Sequence, residues 1–77
     1  MLYYEKIGKR IKETRRVKNM TQAKLAELAD MADTSISRIE TGTKKASLES
    51  LAKISCVLNA SLDFLVFGTD PNITQDK

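Results

Sequence analysis

The chain has 77 residues, 42% of them hydrophobic and 30% charged, with a net charge of +3, one cysteine and no histidine. This places it with small globular domains, its core near the lower limit for folding alone, and no separate effector-sensing domain is expected at this length. The composition supplies no disulfide framework, no apolar run of membrane-spanning length and no histidine to serve as general base or metal ligand.

Neither catalysis nor a bound metal or cofactor is therefore expected, since the lone Cys56 has no partner for nucleophilic or metal chemistry. The N-terminal stretch MLYYEKIGKR has no continuous apolar segment, so no secretory signal is expected. A single cysteine fits a reducing cytoplasm.

Apolar spacing predicts five helices and no strand. The first covers about 3–18, with Tyr4, Ile7, Ile11 and Thr14 on one face. It also carries most of the positive charge. Residues 1–18 hold Lys6, Lys9, Arg10, Lys12, Arg15, Arg16 and Lys18 against Glu5 and Glu13, whereas from 48 onward Lys53 and Lys77 face Glu49, Asp63, Asp70 and Asp76. A polyanion would meet the N-terminal half and the middle, not the C-terminal end. A merely solvated helix face would show the same charges.

The second helix starts behind Thr21 as N-cap and turns Leu25, Leu28 and Ala29 inward. The third covers about 33–41, with Ile36 and Ile39 inward. Ser47 caps the fourth, with Leu48, Leu51, Ile54, Ser55 and Leu58 inward. Ser61 caps a short fifth helix over 62–67. The residues 69–77 have turn chemistry and little apolar content and read as a flexible tail behind one domain over 1–68. Asn19, Asp30 and Asn59 fall at three helix ends, where a left-handed residue is needed. Asn and Asp tolerate that conformation best after Gly. Asp30 thus stops the second helix, Met31 turns into the core, and the third helix leaves at a steep angle. This is a helix-turn-helix.

The outer face of the third helix carries Asp33, Thr34, Ser35, Ser37, Arg38 and Thr41. Short polar groups let a backbone approach bases closely, and one guanidinium can reach guanine O6 and N7 in a major groove. By composition alone, a neutral solvated surface fits this face equally well.

The run TQAKLAELADMADTSISRIETG, residues 21–42, resembles the helix-turn-helix of the lambda-repressor/Cro-like family of bacterial and phage regulators. The similarity begins at IGKRIKETR and continues to SLESLAKISCVLNASLDFL without a gap, over roughly four-fifths of the chain. It implies an all-α, five-helix DNA-binding domain and a transcriptional regulator, by preference a repressor, of double-stranded DNA. No membrane partner and no small-molecule effector are expected for this chain. Some members are antitoxins that also grip a toxin, so a protein-interaction module is the alternative.

The resemblance also implies roles. Asp33, Thr34, Ser37 and Arg38 match positions that face base edges. Gln22 matches a residue that binds a phosphate and braces the recognition helix. Thr41, Thr43, Lys44 and Lys45 match a loop that meets the phosphate backbone. Arg15 and Glu40 match a pair joining the first helix to the end of the third. Three departures stand out. Ala32 replaces the usual capping Ser, so Asp33 is expected to take over as N-cap, or to sit in the first turn where the helix dipole favours it, in preference to accepting from cytosine N4. Asp30 replaces the usual turn Gly. Cys56 and Phe64 fall where relatives usually carry charge.

The fifth helix is apolar nearly all round. Leu62 and Leu65 can fill the core, which is expected to leave Phe64, Val66 and Phe67 exposed with Cys56 nearby. A two-fold homodimer through the fourth and fifth helices is the expectation, with Phe64 folding back over the tail as the alternative.

Overall fold

The computed structural model describes residues 3–69, so nearly all of the expected tail lies outside the described residues. The five helices are α1 (Tyr4–Val17), α2 (Gln22–Ala29), α3 (Asp33–Thr41), α4 (Leu48–Leu58) and α5 (Leu62–Phe67). No strand occurs among the described residues.

Local chemistry sets the helix ends. The side chains of Thr21, Ser47 and Ser61 each accept a hydrogen bond, at 3.0 Å, from the backbone N–H three residues on. Each such cap is worth about 1 kcal/mol. At the third helix Asp33 takes the second of its two expected places. The N-cap there is Ala32, with extended backbone and no side-chain cap, and Asp33 is the first helical residue. The Ala32 carbonyl already accepts from Ser35 and Ile36, which leaves Asp33 one position too late to cap. Its carboxylate instead sits in the first turn, where the helix dipole favours it.

At the other ends, Asn19, Asp30 and Asn59 have φ of 57°, 56° and 54°. After each, the next N–H returns to the carbonyl five residues back: Met20 to Arg15, Met31 to Ala26 and Ala60 to Ser55, at 3.1, 2.9 and 3.1 Å. Gly42 gives α3 the same ending through Thr43 and Arg38. These bonds satisfy last-turn carbonyls that would otherwise lack partners.

The core joins Ile7 and Ile11 of α1, Leu25 and Ala26 of α2, Ile36 and Ile39 of α3, Leu51, Ile54 and Leu58 of α4, and Leu65 of α5. Met31 packs against it from the turn, as expected. Two expected core residues lie outside it: Leu28 is 51% exposed and Leu48 is 74% exposed. Helical residues step by about 100°. The buried stripe of α2 is centred between Leu25, Ala26 and Ala29, and Leu28 lies about that far round from its middle. Leu48 is the first residue of α4, beyond the reach of its neighbours.

The most extensive packing is between α1 and α3. Gly8 makes it possible. A methyl group there would overlap the Ile39 carbonyl oxygen and fall 2.6 Å from that of Glu40. A buried ion pair closes the same contact. Arg15 Nε donates to Glu40 Oε2 at 2.7 Å, and Nη2 donates to Oε1 at 3.1 Å. Arg15 Nη1 donates to the Met20 carbonyl at 2.6 Å, tying in the α1–α2 turn. The two residues are only 7% and 5% exposed.

Two outcomes follow from this packing. Glu40→Ala strands a buried guanidinium and should cost about 3–5 kcal/mol. In a domain of this size that lowers Tm by more than about 10 °C. A loss below about 1 kcal/mol in urea unfolding would mean that the pair carries no structural weight. Gly8→Ala should destabilise by about 1–3 kcal/mol through overpacking, although alanine is the better helix former by about 1 kcal/mol. A raised denaturation midpoint would refute the close α1–α3 approach.

Candidate nucleic-acid interface

The second helix of the helix-turn-helix is α3, and its inner side is fully committed. Ile36 and Ile39 are buried in the core, and Glu40 is held by Arg15. A third partner joins this pair. Gln22, the first residue of α2, donates from Nε2 to Glu40 Oε1 at 2.9 Å. The end of α3 is thereby tied to α1 and to the start of α2. One amide hydrogen of Gln22 is spent on Glu40 in doing so.

The outer side is open. Asp33, Thr34, Arg38 and Thr41 are exposed and Ser37 is half-exposed. The side chains of Thr34, Ser37 and Arg38 make no hydrogen bond to the scaffold among the described residues. Arg38 is thus a long cationic donor standing among short polar groups, the combination that suits base edges.

The loop after α3 folds back onto it. The Thr41 and Thr43 hydroxyls donate to the Arg38 carbonyl, at 3.1 and 3.3 Å, and lie 3.0 Å from each other. The Thr43 and Lys44 N–H groups converge on the same carbonyl. The expected phosphate-binding threonines therefore shape the loop first. Lys44 Nζ reaches Ser35 Oγ at 3.3 Å across the first turns of α3, and Lys45 is exposed.

One cationic feature is absent from the residue set expected from the sequence. Lys9, Lys12 and Arg16 form a stripe on α1 and line an open groove with Glu13, Glu40 and Thr41. The groove adjoins the end of α3. Since Glu40 is neutralised by Arg15, cations dominate this edge of the recognition face. The dense positive charge of residues 1–18 was the legible sign of it.

The expected contact cluster on α5 is narrower than its composition suggested. Phe64 and Val66 are half-buried and pack against the core, while Phe67 is 64% exposed. A six-residue helix lying across two others presents more than one face to them, and these residues use it. Cys56 is exposed on α4. Among the described residues no group of His, Cys, Asp or Glu side chains is placed to hold a metal ion, and no helix is long and apolar enough to cross a membrane.

Residues 11–65 match the helix-turn-helix family. The control protein C.BamHI of Bacillus amyloliquefaciens is 42% identical over 72 residues, covering 91% of this chain and 89% of that protein. The restriction-modification controller protein C.AhdI of Aeromonas hydrophila superposes with a TM-score of 0.78 at 27% identity, covering 80% of this chain and 94% of its own. SinR of Bacillus subtilis, a master regulator for biofilm formation, superposes in its complex with DNA with a TM-score of 0.73 at 38% identity, covering 77% of this chain and 95% of its own. With its five-helix core and its α2–turn–α3 unit, the chain belongs to the helix-turn-helix family, in the lambda-repressor/Cro-like group of bacterial and phage regulators.

Proposed function

We propose that this chain is a transcriptional regulator that binds double-stranded DNA, laying α3 in the major groove. The carrying observation is the contrast between the two sides of α3. Its inner side is fixed by the buried Arg15–Glu40 pair and the half-buried Gln22, and its outer side presents uncommitted Thr34, Ser37 and Arg38. Arg38 reads a guanine, with Thr34, Ser37 and Asp33 at neighbouring base edges. Gln22, Lys44 and Lys45 meet the phosphate backbone from a loop shaped by Thr41 and Thr43, whose hydroxyls turn to phosphate only by leaving the Arg38 carbonyl, and Lys9, Lys12 and Arg16 extend the positive edge.

The protein works as a two-fold dimer through α4 and α5, in the cytoplasm, without catalytic activity. Phe67 is the apolar anchor of the contact, and Cys56, Phe64 and Val66 lie at its margin. The region is low in positive charge, as a self-contact should be, and it leaves α3 free. Two recognition helices then enter successive major grooves about 34 Å apart, and the operator is a palindrome. The likeness to the control protein C.BamHI over nearly the full length of both chains, with that to the restriction-modification controller protein C.AhdI, supports control of a restriction-modification system as the biological role, through repression or activation of its promoter.

Selection of bound sites from random duplexes, followed by titration at two salt concentrations, tests the reading. A falling affinity with rising salt is expected, and a module that binds only protein would show no such slope. Arg38→Ala should cost about 1–3 kcal/mol on the best site and relax one base pair per half-site. Lys44→Ala should weaken all sequences alike and reduce the salt slope by about 1. Selected sites identical for wild type and Arg38→Ala would remove Arg38 from base reading.

Phe67→Glu tests the assembly by sedimentation. The variant should be folded and monomeric, with palindrome affinity reduced to that of a single half-site. A wild type that is itself monomeric at high micromolar concentration would dispose of the dimer.

A further inference from the structure

The short helix α5 is held at both ends, by different elements. Its start is tied to α4, where Ser55 Oγ donates to the Ala60 carbonyl and Ser61 caps the first turn. Its end is tied to α1. Arg10 Nη1 donates to the carbonyls of Leu65 and Val66 at 3.1 and 3.0 Å, across 55 and 56 residues of chain. Last-turn carbonyls lack partners within their own helix, and a cation there is favoured by the helix dipole.

Gly68 completes the contact. It ends α5 with φ of 81°, and a methyl group on it would fall 2.9 Å from Arg10 Nε and 3.0 Å from Nη2. The guanidinium therefore lies against the bare Cα of Gly68. Leu65 and Val66 also pack against the core at this end. Only Leu65 of the six residues is fully buried, and a helix this short does not persist without outside support. Phe67, next to the held Val66 carbonyl, is the exposed anchor of the dimer surface.

The helix that carries Arg10 also carries Gly8 and Arg15, which fix α3. The reading surface and the assembly surface are thus fastened to one rigid element. We infer that Arg10 is a positioning residue that sets the spacing between half-sites, by locking α5 at a fixed angle to α1. This rests on the dimer reading above. The geometry makes spacing sensitive to the lock. A recognition helix lies about 17 Å from the two-fold axis, half the distance between successive grooves. A pivot of about 10° about a contact set back from the duplex by a similar distance moves it along the DNA by about 3 Å, close to the rise of about 3.4 Å per base pair.

The experiment uses the selected half-site, alone and in palindromes whose centre-to-centre spacing is changed one base pair at a time. Wild type should prefer one spacing by at least tenfold. Arg10→Met should bind the single half-site within about twofold of wild type and still sediment as a dimer. Its preference among spacings should shrink to about threefold or less. Arg10→Lys, which keeps a donor, should restore part of the preference. Should Arg10→Met fail to fold, Gly68→Ala displaces the guanidinium from the other side and should give the same broadened profile. A sharp, wild-type profile in the folded variants overturns the role of Arg10. A wild type without any spacing preference removes the dimer reading, and this inference with it.

Discussion

Everything the recognition helix does depends on the buried pair between Arg15 and Glu40. A nine-residue helix has no orientation of its own, and α3 gains one because its last turn is bolted to α1. The geometry is bidentate, and the third donor of the guanidinium is used on the Met20 carbonyl. Gln22 takes up further capacity on Glu40. Burying two charges is costly unless their hydrogen bonds are met, and here no buried polar side-chain atom among the described residues is left without a partner. The network therefore reads as a device for direction rather than for raw stability. It makes the angle between α2 and α3 depend on three side chains drawn from three elements.

α1 is the common support of the molecule. Gly8 lets it lie against α3 at backbone distance, Arg15 locks that contact, and Arg10 reaches the far end of α5. Its exposed cations edge the recognition face. One helix thus combines packing, anchoring and charge, because its faces point to different neighbours. That explains why so much of the chain's basic character is concentrated there without being spent on a single purpose.

Much of this was legible in the sequence, for reasons that differ by residue. Thr21, Ser47, Ser61, Asn19, Asp30 and Asn59 act through bonds to backbone a few positions away, so local chemistry identified them. Ile36 and Ile39 followed from spacing. Arg15 and Glu40, 25 residues apart, came only through family resemblance. The errors have physical causes. On the eight-residue α2, Leu28 and Ala26 flank Leu25 and Ala29 almost symmetrically, and the packing partner decides which is covered. Asp33 had two expected places, and the backbone of Ala32, which holds the cap position, decides between them. Phe64 looked exposed because periodicity cannot say how many neighbours a six-residue helix touches. Gly8 and Arg10 were silent: a helical glycine reads locally as a cost, and Arg10 looks like any cation among its neighbours.

The split between the two sides of α3 has an evolutionary consequence. Thr34, Ser37 and Arg38 owe nothing to the scaffold through their side chains, while Ile36, Ile39 and Glu40 owe it everything. Replacing the first group leaves the second undisturbed. Sequence preference can drift through such replacements without passing through an unfolded ancestor. Divergence of specificity is then limited by the regulated DNA rather than by the protein, and the same small frame can be inherited by regulators that share no operator.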